Sequence, residues 1–517
     1  MTAPTSLSTV RALVERQVRE RADAVYALET DGPEQITFAD LAARCQQVAA
    51  LLRSHGALPG ETVSLVMPNG LNTLQLLLGA MAGGWCVNPV NLLSSEEQMG
   101  YVLNHSDCTL VIASPEWADT VRRVLLTIPR AIALWVCDAH NNTLSEDAKN
   151  LSSDTGHKAH AVTPQDHALL MYTSGTTGVP KGVLLSQANL TANAASISAE
   201  HALSAQDRVL AVLPLYHINA FAVTMLAPLF HGGSLAMPPK FSAARFWQQA
   251  LQTQCTWINV VPTMISYLLE GAAPEASQTA RIQFCRSASA ALPPAHLQAF
   301  ESKFGIGIIE TMGLTETVAP SFSNPLARNE RKLGSVGKAS GCEACVIDSA
   351  FQVVADGVTG EVAIRGPQVM QGYYKNEAAT RESFTPDGWL RTGDLGHRDS
   401  DGFFFITGRI KELIIKGGEN IAPREIDEVL LRHPGVLDAA AVGIPDPHYG
   451  QDILVCVIAR EGQSVTDAIL REHCTLLLGR FKTPKYFCLV KDLPRGPSGK
   501  VQRLKLPDLP ECKVLLG

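Results

Sequence analysis

Between residues 61 and 260 the chain alternates short apolar runs with segments of helical period, and this limits its fold more than any other feature. Glu61-Thr-Val-Ser-Leu-Val-Met67 reads as a strand, Leu74 to Met81 as an apolar helix and Trp85-Cys-Val-Asn-Pro-Val90 as the next strand. Strand runs recur at Thr109 to Ala113, Ala133 to Cys137, Ala168 to Met171, Arg208 to Leu213, Ser234 to Met237 and Trp257 to Val261. Strands separated by helices cannot pair as tight hairpins. They line up in parallel and bury both faces under the helices. Residues 10–56 read as helices with one strand, the second helix capped by Thr37. The polar stretch Asp138 to Pro164 reads as a surface connection.

The pattern changes after Gly334. Cys345-Val-Ile-Asp348, Glu361-Val-Ala-Ile364 and Phe403-Phe-Phe-Ile406 are short, closely spaced strands with Gly/Asp turns, a β-rich subdomain over about 334–408. Past Gly408 comes a smaller α+β unit, with helices at Pro423 to Leu431 and Thr466 to Leu478 and strands at Val436 to Val442 and Leu454 to Ile458. The fold class is therefore α/β: a large N-terminal domain, 1–408, of helix-covered and mainly parallel sheets, and a small C-terminal domain, 409–517.

The chemistry is concentrated in Tyr172-Thr-Ser-Gly-Thr-Thr-Gly-Val-Pro-Lys181-Gly182, which follows the strand at Ala168 to Met171. Thr173, Ser174, Thr176 and Thr177 supply hydroxyls, Gly175 and Gly178 free the backbone to turn its N–H groups toward one point, and Lys181 adds a cation. Such a loop is a concave nest for a polyphosphate. Its spacing differs from G-x-x-x-x-G-K-[ST], and Pro180 precedes the lysine. Turn chemistry alone does not require this density of hydroxyls.

Six further motifs follow in order: Glu310-Thr-Met-Gly-Leu-Thr-Glu316, Gly360-Glu-Val-Ala-Ile-Arg-Gly366, Trp389-Leu-Arg-Thr-Gly-Asp394, Gly408-Arg-Ile-Lys411, Lys416-Gly-Gly-Glu-Asn420 and Pro497-Ser-Gly-Lys500. With the loop, they resemble the AMP-forming adenylating enzymes: acyl-CoA synthetases, luciferases and peptide-synthetase adenylation domains. The resemblance runs from about residue 10 to residue 505. It implies an acid–thiol ligase that uses ATP, Mg²⁺ and coenzyme A, first forming an acyl-adenylate and then a thioester.

The resemblance also implies roles. The phosphate loop (Thr173, Ser174, Gly175, Thr176, Thr177, Lys181) binds ATP, with Thr176 and Glu316 at the metal and Thr315 on phosphate. Ser289, Ala290, Ala291, Glu310, Thr311, Met312 and Gly313 border the adenine, although the family usually carries a stacking tyrosine at the position of Met312. Asp394 and Arg409 hold the ribose. His217 lines the acid site, with Asn219, Arg286 and Ser287 beside it. Lys500 is the catalytic lysine, Lys411 the hinge of a mobile C-terminal domain, and Lys416, Gly417 and Gly418 border the pantetheine of CoA. Chemistry supports several of these assignments: a carboxylate beside a hydroxyl suits a magnesium–phosphate site, and a lysine on a Gly-flanked loop relieves the repulsion between a carboxylate and ATP.

Within the family, Lys240 to Trp247, Phe284-Cys-Arg-Ser-Ala-Ser-Ala290 and Ser323-Asn-Pro-Leu326 resemble the oxalate–CoA ligase and short-acid branch. That branch has a second histidine where this chain has Asn219, which points to another small acid, one with a second acidic group among the candidates. Arg286 needs an anion if buried: a structural partner or a substrate group. The alternatives are an adenylation enzyme that loads a carrier-protein phosphopantetheine, and a medium- or long-chain fatty acyl-CoA synthetase. From Arg480 to Lys505 eight basic residues face one acid, Asp492, and form a cationic face suited to CoA phosphates.

Composition excludes other classes. A net charge of −7 argues against general nucleic-acid binding. Twelve cysteines without framework spacing suggest free thiols in a reducing compartment, and Cys342-x-x-Cys345 lacks the partners of a metal site. No run of 18 apolar residues, N-terminal signal or peroxisomal ending is seen, so the expectation is a cytoplasmic protein with no transmembrane segment and no nucleic-acid partner, with a homodimer as the assembly to test.

Overall fold

The computed structural model describes residues 7–140, 160–173, 179–496 and 501–516. Two large sheets share one apolar core. In the first, the strands Val25–Glu29, Arg208–Leu210, Ser234–Met237, Trp257–Val260, Phe284–Ser287 and Gly307–Met312 all pair in parallel, and antiparallel strands close both edges. In the second, Thr62–Val66, Cys86–Pro89, Leu110–Ala113, Ala133–Val136 and His167–Thr173 are parallel, and Lys181–Ser186 turns back antiparallel. The mixed, mainly parallel α/β class follows, as the strand–helix alternation requires.

The helix Leu71–Gly83 is buried at every residue, which is why its sequence is apolar all round. It packs so closely on Phe38–Ser54 that a Cβ at Gly79 would lie 2.7 Å from Val48 Cβ. Thr37 caps Phe38–Ser54 in a capping box with Asp40. Residues 10–56 hold two strands rather than one: Gln35–Thr37 pairs antiparallel with Val25–Glu29, and three residues are too few to show a period in sequence. Of the polar connection, residues 141–159 lie outside the described residues.

Glu343–Ile347, Gly360–Arg365, Leu390–Arg398 and Phe404–Arg409 form a four-stranded antiparallel sheet with its own small core. Sheet membership changes just beyond it. After one short helical turn at Ile410–Glu412, Ile414–Lys416 enters a separate five-stranded sheet with Glu419–Ile421, Val436–Asp446, Gly450–Ala459 and Tyr486–Leu489. Pro423–Leu431 and Asp467–Lys482 pack on it, and the latter breaks its helical backbone at Gly479.

Candidate active site

The functional residues collect where parallel strands end, the usual ligand position in open α/β sheets. Phe284–Ser287 delivers the segment Ser287 to Ala291. Gly307–Met312 delivers Gly313 to Glu316, and His167–Thr173 runs into the phosphate loop. Gly313 sits at a tight crossing, where a Cβ would lie 2.7 Å from Ala319 Cα and Pro320 Cα. Ser289 is held at φ 75°, a left-handed backbone conformation uncommon for a non-glycine residue and often kept where a ligand must be met.

A cavity of about 870 Å³ is lined by Thr173, Lys181, His217, Asn219, Arg286, Thr315, Glu316 and Arg409. An adjoining cavity of about 270 Å³ is lined by Ala290, Ala291, Glu310, Thr311, Met312 and Asp394. Ser289, Gly313 and Arg409 border both. Most of the expected residues therefore meet in one place. Ser174, Gly175, Thr176, Thr177 and Lys500 lie outside the described residues. Arg495 and Gly496 before residue 500, and Gln502 after it, line the larger cavity.

Asp394 and Arg409, expected at a ribose, form a direct pair. Asp394 is buried; its Oδ1 accepts from Arg409 Nε at 2.8 Å, while Oδ2 is buried with no hydrogen-bond partner among the described residues. Burial alone would lower Arg409, but Asp394, Glu412 and Glu316 outweigh it and hold the guanidinium above its ordinary value. An orphaned carboxylate oxygen fits a nucleotide hydroxyl, because a buried acceptor left unpaired is costly. Glu310 is buried against the Leu292 N–H at 3.2 Å, and burial pushes its carboxyl up to about 7.

Glu316 is the carboxylate that fits a magnesium ion. It borders the cavity beside Thr315, and Tyr373 donates its phenol proton to Glu316 Oε1 at 2.7 Å. Glu361, on the same wall, does not fit, since Arg391 and the Gly393 N–H occupy its oxygens.

Arg286, expected beside the acid, is fully buried, with no carboxylate bonded to it among the described residues. Its Nη1 donates to Asn219 Oδ1 at 2.7 Å and to Asn259 Oδ1 at 2.9 Å, both neutral amides. Nε and Nη2, the side-on fork that matches a two-oxygen anion, have no partner among the described residues. Burial lowers this guanidinium to about 9. Asn219 also donates to Ser289 Oγ at 3.3 Å, and the buried Ser287 Oγ has no partner among the described residues. His217 stands against the Tyr216 ring. Of the two readings left open for Arg286, a structural carboxylate partner is not found among the described residues.

Two expectations are corrected. Half of the basic tail is already paired: Lys482 with Glu425, Lys485 with Asp446, Arg495 with Asp438 and Arg503 with Asp427. The small domain neutralises these cations with its own acids. Lys416 is likewise taken, buried at 2.6 Å from Asp452 and set over the Tyr449 and Phe481 rings. Gly417 and Gly418 make the exposed turn beside it, and none of the three borders the cavity. Lys411, exposed after Arg409, does.

Sequence reasoning did not single out Tyr373 or Asn259. Asn259 had one usable signal, a polar residue inside an apolar strand. It also missed Cys456, Cys488 and Cys512, whose sulfurs lie within 4.8 Å of one another. Burial pushes each of these thiols up to about 12 in an apolar surround. No helix among the described residues is long and apolar enough to cross a membrane.

A model of the AMP-binding enzyme family matches residues 14–374, and one of the AMP-binding enzyme C-terminal domain matches residues 425–500. The chain is 53% identical to a sulfoacetate–CoA ligase of Cupriavidus necator, over 98% of each chain. It is 34% identical to an oxalate–CoA ligase of Arabidopsis thaliana, over 96% of this chain and 97% of the other. The structure of ATP-bound MatB from Rhodopseudomonas palustris superposes with a TM-score of 0.88 at 28% identity, over 97% of this chain and 98% of the other.

Proposed function

Since the chain belongs to the AMP-binding enzyme family and is an ATP-dependent, AMP-forming acid–CoA ligase acting on small acids, we propose that its substrate carries a second anionic group, with sulfoacetate foremost. The observation that carries this reading is the unfilled Nε–Nη2 fork of Arg286, a buried cation of the cavity lining whose hydrogen-bond partners among the described residues are two asparagine amides. A sulfonate or second carboxylate supplies two oxygens to that fork, and a buried charge demands such a partner. A long alkyl chain leaves it unpaired, which disfavours the fatty acyl alternative.

In this reading the fork holds the remote anion, and the reacting carboxylate lies between His217 and the α-phosphate of ATP. Lys181 and the loop 173–177 receive the β- and γ-phosphates, Thr315 touches phosphate, and Asp394 and Arg409 hold the ribose. Adenine lies between the Ser289 to Ala291 segment and Met312, whose thioether supplies a soft contact in place of a stacked ring. The carboxylate oxygen attacks the α-phosphorus and pyrophosphate leaves. Lys500 meets the charge that develops there; the residues that flank it border the same cavity, which suits the adenylating pose. Glu316 and Thr176 would hold the magnesium ion, which neutralises phosphate charge when bound.

The CoA thiolate then attacks the acyl carbonyl and AMP leaves. Because Lys416 to Gly418 stand away from the cavity in this pose, the second step needs the domain 409–517 to turn about Lys411. Gly417 and Gly418, rather than the Lys416 ammonium, then border the pantetheine. The twelve free thiols, eleven of them buried, suit a reducing compartment, and we place the enzyme in the cytoplasm.

Pyrophosphate release across sulfoacetate, oxalate, malonate, crotonate, octanoate and palmitate, with and without CoA, tests the reading. Doubly anionic short acids should show the highest kcat/KM, with CoA needed for turnover. Palmitate as the best substrate, or full turnover with a carrier protein alone, would overturn it.

A further inference from the structure

Glu316 and Lys181 come from different elements, yet one short segment, Met370 to Tyr374, holds both. The Met370 N–H donates to the Glu316 backbone oxygen at 2.7 Å, and the Tyr373 hydroxyl donates to Glu316 Oε1 at 2.7 Å. On its other side the segment pairs with the strand Lys181–Ser186: Tyr373 lies opposite Val183, and the Tyr374 N–H donates to the Gly182 oxygen at 2.8 Å. The Lys181 ammonium sits 4.8 Å from the centroid of the same Tyr373 ring. A single side chain therefore touches the carboxylate through its hydroxyl and the cation through its face.

We propose that Tyr373 is a positioning residue that sets Glu316 in register with Lys181, so that the metal carboxylate and the phosphate-loop cation present one preformed site to magnesium–ATP. A carboxylate with one oxygen committed to a phenol offers a metal ion a single oxygen in a fixed direction, the arrangement that magnesium's strict octahedral geometry favours. The ring face supplies the second constraint, since an ammonium over an aromatic face is attracted to it and keeps its direction. Fixing such supporting contacts before the ligand arrives is how a site keeps its geometry.

Tyr373→Phe isolates the hydroxyl, because the ring, its packing, the ammonium contact and the backbone bonds all remain. Mn²⁺ binding to the enzyme with a methylene-bridged ATP analogue, read by electron paramagnetic resonance, should weaken on the order of ten-fold, as expected for a lost hydrogen bond to a charged group. The half-saturating Mg²⁺ concentration for pyrophosphate exchange should rise in step, while the KM for the acid stays within about two-fold. In a Glu316→Gln background the same substitution should add little, because both changes act through one contact. Tyr374→Phe, which loses a bond to the exposed Asp107, serves as the control. Unchanged Mn²⁺ affinity in Tyr373→Phe, additivity with Glu316→Gln, or an equal rise in the KM for the acid would each overturn the proposal.

Discussion

Asp394 and Arg409 face each other across adjacent antiparallel strands, joined at 2.8 Å through Nε and Oδ1, and the second oxygen of Asp394 stays buried with no partner among the described residues. In the proposed reading a nucleotide ribose completes this half-filled hydrogen-bond set. Asp394→Asn should therefore weaken a non-hydrolysable ATP analogue by about 10- to 100-fold in calorimetry, the loss expected when a charged acceptor is replaced. The melting temperature should change little, because the variant keeps its shape. Unaltered affinity would remove Asp394 from the nucleotide site.

Lys500→Ala should lose the first half-reaction and keep the second. Removing one preorganised charge from an adenylate transition state costs on the order of 10²–10³ in rate. Pyrophosphate exchange should fall by that amount, while thioester formation from supplied acyl-adenylate stays near the parental rate. Equal losses in both assays would contradict the assignment.

Lys411→Pro should separate the half-reactions in the opposite way. The turn Ile410–Glu412 joins the two units between Arg409 and Ile414, and a few backbone dihedrals there suffice for a rotation. Proline fixes φ near −65° and removes an N–H, which holds one pose. Pyrophosphate exchange should persist and acyl-CoA formation should fail. If both rates drop together, the pivot lies elsewhere.

Glu310 gives a pH signature. Burial raises its folded value to about 7 from 4.5, so the folded state binds its proton more tightly than the unfolded chain does. That contribution to stability is full below pH 4.5 and is lost as pH rises through 7, up to roughly 3 kcal/mol if the whole shift is realised. Glu310→Gln keeps an acceptor for the Leu292 N–H and cannot ionise. Its stability in urea should gain on the parent between pH 5 and pH 8. A constant offset between the two proteins over that range would rule out the buried titration.

Much of this was legible in sequence because the signals are local. The strand–helix alternation depends on neighbouring residues, and the motifs carrying Lys181, Glu316, Asp394 and Arg409 are short runs whose chemistry is visible in place. What was not legible depends on register between distant strands. Asn259 meets Arg286 because Trp257–Val260 and Phe284–Ser287 pair in parallel with those two residues opposite each other. Tyr373 reaches Glu316 through a two-residue strand that no periodicity reveals. The pairing of half the basic tail was hidden for the same reason. Arg503, Arg495 and Lys485 are neutralised by Asp427, Asp438 and Asp446, acids that lie far away in sequence.

The central claim is that the free edge of Arg286 selects a doubly anionic acid. Its most direct test is the ratio of kcat/KM for sulfoacetate to that for propionate, measured in the parent and in Arg286→Gln. Two charge-assisted hydrogen bonds to one anion make a difference of about 10²–10³. The account predicts that the parent strongly prefers sulfoacetate and that Arg286→Gln loses this preference by that factor, with propionate activity nearly kept. A ratio that survives the substitution unchanged would contradict it.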